Sequence, residues 1–209
     1  MTRERRERGQ GLVEFALVLP ILVVLIVSVG ELGLIFGKMH SLGYASREGA
    51  RTGAALARGV GCSVSNPDLD PSKVDATLVG AVQRILTSPD SGISLAKIEQ
   101  IRIFKATSTG GETPGTVSTW EYVGPNGGPE IDPGPGVIRI DFDRTGAAAW
   151  PACTRKNSGT PAQIESIGVT VRYTYDFVTP LPAMLDAISG GALDLTLSQT
   201  TIMALNPTI

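Results

Sequence analysis

Residues 15–30 read FALVLPILVVLIVSVG and contain no ionisable side chain. Continued to Gly37, this apolar stretch has 23 residues, which as an α-helix would be roughly 34 Å long against a hydrocarbon core of about 30 Å. The rest of the chain is polar and rich in turn-forming residues, with 25 Gly and 14 Pro among 209 residues overall. The sequence therefore predicts one membrane-spanning helix attached to a smaller globular domain.

The charges beside the apolar stretch predict its orientation. The first ten residues, MTRERRERGQ, hold four arginines against two glutamates, and arginines next to an apolar span stay in the cytoplasm. We expect a single-pass protein of the cytoplasmic (inner) membrane whose chain is extracytoplasmic after about residue 37. A cleaved secretory signal is the alternative, although the run exceeds the usual length of about 7–15 residues and no clear A-x-A site follows it.

Composition argues against several classes of function. The formal net charge is −2, and after the first ten positions no basic run exceeds the pair Arg155–Lys156, so we expect no nucleic-acid groove. One histidine, His40, and two cysteines leave few ligands for a metal and few partners for a nucleophile. We therefore predict no catalytic residue, metal, cofactor or small-molecule substrate.

Two carboxylates and a proline in the N-terminal region are unusual for a plain anchor. Glu14 precedes the apolar run, and because a carboxylate at helix-centre depth costs about 2.5–3.5 kcal/mol, a partner is expected for it. Glu31 lies 16 residues beyond Phe15, about 24 Å by helical rise, and we expect it to reach lipid headgroups. Pro20 removes a backbone donor and predicts a bent or loosened helix.

The sequence around Glu14 resembles a known processing signal. Residues 9–15, GQGLVEF, are similar to the class III signal of type IV-like pilins, in which a basic leader and a glycine precede four residues, a glutamate and an aromatic residue. The stretch GQGLVEFALVLPILVVLIVSVGELG, followed by ASREGARTGAA, resembles the TadE-like family of the tight-adherence (Tad/Flp) pilus. The resemblance covers about residues 9–55.

This resemblance implies an assembly role. A membrane-embedded prepilin peptidase would cut between Gly9 and Gln10, leaving Glu14 as residue five, paired with the α-amino group of a neighbouring subunit. The implied assembly residues are Glu14, Phe15 and Pro20, and the implied partners are the peptidase, other Tad pilus subunits, the assembly platform and the membrane. Major pilins usually carry tyrosine where Phe15 stands and are much shorter, which favours a minor pilin or pseudopilin.

Small residues follow the apolar run at i+4 spacing, namely Gly33, Gly37, Ser41, Ala45, Gly49, Gly53 and Ala57. Such a row allows another backbone to approach closely. Because an i+4 row drifts by about 40° per step, a single straight partner cannot contact all of it. Two interpretations stay open: packing between subunits, or packing of the row from Ala45 onward on the protein's own sheet.

Hydrophobic periodicity predicts an α+β fold of pilin-like architecture. Asp70-Pro71 would begin a second helix with an apolar stripe of Val74, Leu78, Val82, Ile85 and Leu86. Strands are predicted at 98–106, 118–123, 137–143 (Ile138, Ile140 and Phe142 on one face), 167–177 and 192–203. We expect a mainly antiparallel sheet of about five strands packed on the amphipathic end of the long N-terminal helix. The predicted organisation is a basic leader (1–9), a transmembrane assembly helix (10–37), its extracytoplasmic continuation (38–61) and an α+β domain (62–209).

The two cysteines, Cys62 and Cys153, both lie in the part expected outside the cytoplasm, where disulfides persist. A bridge would close a loop of about 90 residues and contribute on the order of 4 kcal/mol in the chain-entropy model. We predict that the two cysteines are bridged, with two free thiols as the alternative.

Three functional interpretations follow. The first is a non-enzymatic minor pilin or pseudopilin of a Tad-type pilus involved in adhesion. The second is a permanently anchored extracytoplasmic binding module that does not polymerise. The third is an exported hydrolase, for which the sequence offers no nucleophile–base pair.

Overall fold

Two long helices and seven strands make up the computed structural model, which describes residues 3–56, 71–132, 136–158, 163–180, 182 and 195–206. Side chains are described from residue 11 onward in the first helix and from residue 73 onward in the second. The chain forms two compact units. The first comprises Met1–Phe36 with Asp176–Leu195, and the second comprises Gly37–Tyr175 with Thr196–Ile209.

Helix α1 spans Arg3–Leu56 and passes through Pro20 without ending there. In the first unit its apolar part has no internal cover, since every residue from 11 to 26 is exposed. Among the described residues, one helical stretch, Gly11–Leu56, is long and apolar enough to cross a membrane. The fold thus contains the single apolar N-terminal helix that the sequence predicts.

Helix α2 spans Pro71–Leu86 in the second unit. Its apolar stripe faces inward as predicted, because Val74, Leu78, Val82 and Leu86 are buried and recur at helical spacing. Asp70, the predicted cap of this helix, lies outside the described residues.

Five strands form the main sheet of the second unit in the order β5-β2-β1-β6-β7. Their bounds are Ile98–Ala106 (β1), Ser118–Tyr122 (β2), Phe142–Thr145 (β5), Ser166–Tyr175 (β6) and Leu195–Ala204 (β7). Strand β1 pairs antiparallel with both β2 and β6, and β2 pairs antiparallel with β5. A separate antiparallel pair consists of β3 (Glu130–Ile131) and β4 (Ile138–Arg139). The α+β expectation is confirmed.

The core lies on the face of the sheet that carries the odd-numbered residues of β1 and β6. Ile101 is opposite Val171 and Ile103 is opposite Val169, and all four side chains are buried. Such alternation is expected where one face of an antiparallel sheet packs on helices. On the opposite face the buried Phe104 ring lies over Gly168, where a Cβ atom would collide with it.

A buried ion pair links α2 to the chain that follows β5. Arg155 Nη2 donates to Asp75 Oδ1 at 2.5 Å, and the two side chains are 0% and 4% exposed. The Arg155 guanidinium also stacks 4.7 Å from the ring centroid of Trp150. Nη2 also donates to the Trp150 carbonyl at 3.3 Å, whereas Nε and Nη1 have no hydrogen-bond partner among the residues that the structure describes. The charge is therefore neutralised but only partly hydrogen-bonded.

The prediction of one continuous strand at 137–143 is wrong. Residues Ile138 and Arg139 pair with β3, whereas Phe142 begins β5 in the main sheet. The ladder is interrupted between them because the Asp141 amide donates to Gln83 Oε1 of α2 at 2.8 Å. Ile140 and Phe142 are buried as expected, while Ile138 is half exposed.

Two other predicted strands have different ends in the structure. The strand predicted at 167–177 ends at Tyr175 as β6, and Asp176 already belongs to the first unit. The strand predicted at 192–203 corresponds to β7, and its first three residues lie outside the described residues.

Candidate functional site

The predicted processing and assembly segment lies in the first turns of α1. Gly9 and Gln10 are helical, and their side-chain surroundings lie outside the described part of the chain. Glu14 and Phe15 are exposed, Phe15 by 60% of its surface. Pro20, also exposed, is accommodated within the helix. The carboxylate and the aromatic ring are therefore both presented outward on the same unshielded helix.

The row of small residues divides into two parts with different surroundings. At Gly33 and Gly37 an added Cβ would meet no atom within 4 Å. At Gly49 it would lie 2.5 Å from Val82 Cγ2, and at Gly53 it would lie 2.7 Å from Ile167 Cδ1. Ala45 is fully buried. The distal part of the row thus packs on the protein's own α2 and β6, as in the second interpretation, whereas the proximal glycines are open.

Polar contacts fix the distal part of α1 within the second unit. The Ser46 and Thr201 hydroxyls lie 2.9 Å apart, and the Asn206 amide donates to the Ala54 carbonyl at 3.0 Å. Lys38 Nζ donates to the Gly92 carbonyl at 2.6 Å. These contacts tie the helix to β7, to the chain after it, and to the loop after α2.

An ion pair lies on the outer side of this distal part. Arg51 donates twice to Glu48, from Nε and from Nη2, each at 2.9 Å, and Arg84 Nη2 lies 3.3 Å from Glu48 Oε1. The hydrogen bonds from Arg51, helped by the charges of both arginines and opposed by partial burial, hold the pKa of Glu48 below its usual value. Since Arg51 and Arg84 are well exposed, we assign this cluster to a solvated surface.

Glu31 has a role that the sequence did not predict. The expectation was a carboxylate extended toward lipid headgroups, but the residue is 1% exposed. Its Oε1 accepts the amide of Val178 and its Oε2 accepts the amide of Thr179, both at 3.1 Å. The sequence does contain one indication of such a role, because Glu31 is an acidic residue within an otherwise apolar run. Its partners are 147 and 148 residues away, which is why periodicity could not identify them.

The structure describes one of the two cysteines of the predicted disulfide. Cys153 lies in a short 3-10 turn, Ala152–Thr154, whereas Cys62 lies outside the described residues. The bridge stays a prediction.

Comparison with known proteins bears on the first helix. Residues 9–51 match the profile of the family described as TadE-like protein. The N-terminal region is thus similar to that family. The resemblance inferred from the GQGLVEF motif is thereby confirmed, and the TadE-like region also includes Glu31 and the proximal glycines. It ends before α2 and the sheet. No curated protein and no solved structure matched the chain.

Proposed function

We propose that this protein is a minor pilin or pseudopilin, a non-enzymatic subunit used in assembling a Tad-type pilus involved in adhesion. The observation that carries the proposal is the division of α1 within its TadE-like region. Residues 11–26 are exposed without interruption, whereas Leu42, Ala45 and Gly49 are built into the folded domain. One end of the helix is available to lipid or to other helices, and the other end holds the domain.

The exposed end needs an apolar environment. Its large aliphatic side chains include Leu17 and Ile21, which are 70% and 63% exposed, and exposed apolar surface of this extent marks a membrane or an interface. Because a helix satisfies its own backbone, it can move between lipid and a bundle of helices without leaving amides unpaired. A subunit that is first inserted in the membrane and later incorporated into a filament needs this property.

Glu14 gives the assembly step a physical basis. After cleavage between Gly9 and Gln10, the new α-amino group and the Glu14 carboxylate would both lie in a low-dielectric environment. Pairing between neighbouring subunits would neutralise both charges, whereas an unpaired carboxylate costs up to about 2.5–3.5 kcal/mol, the value for helix-centre depth. The prepilin peptidase, other Tad subunits and the assembly platform are the proposed partners.

The proposed organisation follows the sequence prediction. Residues 1–9 are a cytoplasmic leader, 10–37 cross the inner membrane, 38–61 follow outside it, with the helix described as far as Leu56, and 62–209 form the extracytoplasmic domain. The alternative is a permanently anchored binding module that never polymerises. The two functions differ in the fate of the leader and in recovery with filaments.

Cleavage is tested by N-terminal mass analysis of the membrane-fraction protein expressed with a prepilin peptidase. We expect the mature chain to begin at Gln10, and Gly9→Leu to retain the leader. Gly30→Leu is the matched control, because a side chain at that exposed glycine meets no atom within 4 Å. A native protein that still begins at Met1 or Thr2, or that is cut near residues 30–33, would contradict the proposal.

Assembly is tested in the same strains by comparing sheared-pilus and membrane fractions. Glu14→Gln keeps size and polarity but removes the charge, so we expect normal cleavage and a sharp fall in the pilus fraction. Glu7→Gln, which removes a charge from the leader, should assemble normally. Equal recovery of wild type and Glu14→Gln in pili would remove Glu14 from the mechanism, and absence of even the wild type from pili would favour the anchored module.

A further inference from the structure

A short segment after β6 belongs to the same compact unit as the apolar part of α1. This segment, residues 176–180, lies in the unit formed by Met1–Phe36 and Asp176–Leu195. Glu31 binds it through two hydrogen bonds of 3.1 Å, one to the amide of Val178 and one to that of Thr179. Residues separated by almost 150 positions are therefore joined at the helix that the proposed function places in the membrane.

The contact supplies hydrogen-bond donors to a buried carboxylate. Glu31 is 1% exposed, and a buried carboxylate is tolerated only when it is paired or hydrogen-bonded. Near lipid the two amides would face the same requirement, because no water is available in the hydrocarbon region. Glu31 lies about 24 Å along the helix from Phe15 by helical rise, close to the outer limit of a hydrocarbon core of about 30 Å. The hydrogen-bonded segment is thus placed at the outer membrane boundary.

At about the same level along the helix axis as this contact, exposed side chains on other faces of α1 are apolar. Val178 is 72% exposed, and on the helix Val29, Leu32 and Phe36 are 70%, 51% and 66% exposed. The amides of the segment turn toward Glu31 while the Val178 side chain turns outward. This arrangement hides polar backbone and presents apolar surface, which is the reverse of what an extended loop in water requires.

We propose that residues 177–179 insert at the headgroup–acyl boundary of the outer leaflet, with the Val178 side chain in lipid and Glu31 holding the segment in place. The inference rests on the membrane placement of α1 in the proposed function. Lipid is the occupant because the segment shares a unit with the apolar helix, at a depth where exposed apolar side chains on other faces of that helix are also in lipid. The protein would then contact the membrane at two places distant in sequence.

The test uses tryptophan fluorescence in phosphatidylcholine vesicles that contain brominated acyl chains, which quench only nearby indoles. The native Trp120 and Trp150 are 2% and 6% exposed within the second unit. The emission and quenching of these two residues, measured in the wild type, are the background for each variant. We expect the added emission of Val178→Trp to be quenched at least half as strongly as that of Leu22→Trp. Val123→Trp replaces an exposed valine of the second unit and should remain close to background.

The variants separate this inference from the proposed function. Quenching of Leu22→Trp without quenching of Val178→Trp above Val123→Trp would overturn the inference and leave the membrane placement intact. Failure to quench Leu22→Trp would overturn both. If Val178→Trp is shielded from aqueous iodide but not quenched by bromolipid, a protein covers the segment and lipid is wrong as the occupant.

The role of Glu31 is measured in the same vesicles. Glu31→Ala removes both acceptors for the amides of Val178 and Thr179, so quenching of Val178→Trp should fall at least twofold in that background. Glu48→Ala, which removes a carboxylate from the solvated cluster, should leave the quenching unchanged. Equal quenching with and without the Glu31 carboxylate would show that Glu31 does not hold the segment.

Discussion

Breaking the buried ion pair of Arg155 and Asp75 tests how the second unit is held together. The two side chains are almost fully buried, and one hydrogen bond of 2.5 Å joins them. Asp75→Asn would leave the guanidinium without a counter-charge in a region closed to water. Removing one partner of such a pair costs about 3–5 kcal/mol, much more than an exposed pair contributes.

The incomplete hydrogen bonding of Arg155 leads to a second prediction, which concerns the stability of a double variant. Because two of its nitrogens lack hydrogen-bond partners among the described residues, the pair bears a desolvation cost that the bonds from Nη2 to Asp75 and to the Trp150 carbonyl only partly offset. The double variant Arg155→Met with Asp75→Leu should therefore recover most of the stability lost in either single variant. We expect a coupling free energy of at least about 2 kcal/mol from the double-mutant cycle.

Urea unfolding of the full chain in detergent, followed through the combined fluorescence of Trp120 and of Trp150 beside the pair, measures these values. A loss of 3–5 kcal/mol corresponds to roughly 6–20 °C in Tm for a chain of this size. The control is Glu130→Leu with Arg139→Met, a pair whose side chains are 52% and 55% exposed, with changes below about 1 kcal/mol. A loss below about 1 kcal/mol for Asp75→Asn, or additive losses in the double variant, would refute the reasoning.

Two further predictions concern the same unit. Gly49→Ala should lower the free energy of unfolding by up to about 2 kcal/mol, because crowding against Val82 outweighs the gain in helix propensity. Gly43→Ala should instead raise the free energy of unfolding by about 0.5–1 kcal/mol in the same urea titration, because its Cβ would meet only one side-chain oxygen, at 3.9 Å. Non-reducing mass mapping should recover Cys62 and Cys153 in one linked peptide pair, and alkylation of both thiols in the native protein would exclude the bridge.

Sequence periodicity predicted the parts of the fold in which one face of an element is buried. Val74, Leu78 and Val82 identified α2, and the alternation from Ile167 to Tyr175 identified β6, because burial imposes a repeat of 3.6 or 2 residues. The motif GQGLVEF identified the TadE-like region. Each of these signals is local and can be recognised within its own short window of the sequence.

The remaining features depend on partners far away in the chain. The break between Ile138 and Phe142 arises because Gln83 of α2 takes the Asp141 amide, which no local pattern records. Asp75 lies on the same face of α2 as Val79 and Val82, so the sequence does show a carboxylate among apolar residues. Its ion-pair partner, Arg155, is 80 residues away and cannot be identified from that pattern. Sequence can indicate that a buried charge needs a partner without identifying it.

The order of the sheet determines when the second unit can fold. Its central ladder joins β1 to β6, and the Lys105–Glu165 ion pair beside it spans 60 residues, while the contact between Ser46 and Thr201 spans 155. Such distant pairings slow folding, because loop-closure entropy is lost before the contacts form. During synthesis the main sheet therefore cannot be completed until its last strand, β7, emerges. In the orientation proposed above, an incomplete domain can be threaded through a translocon, and the disulfide predicted from the sequence would form only afterwards.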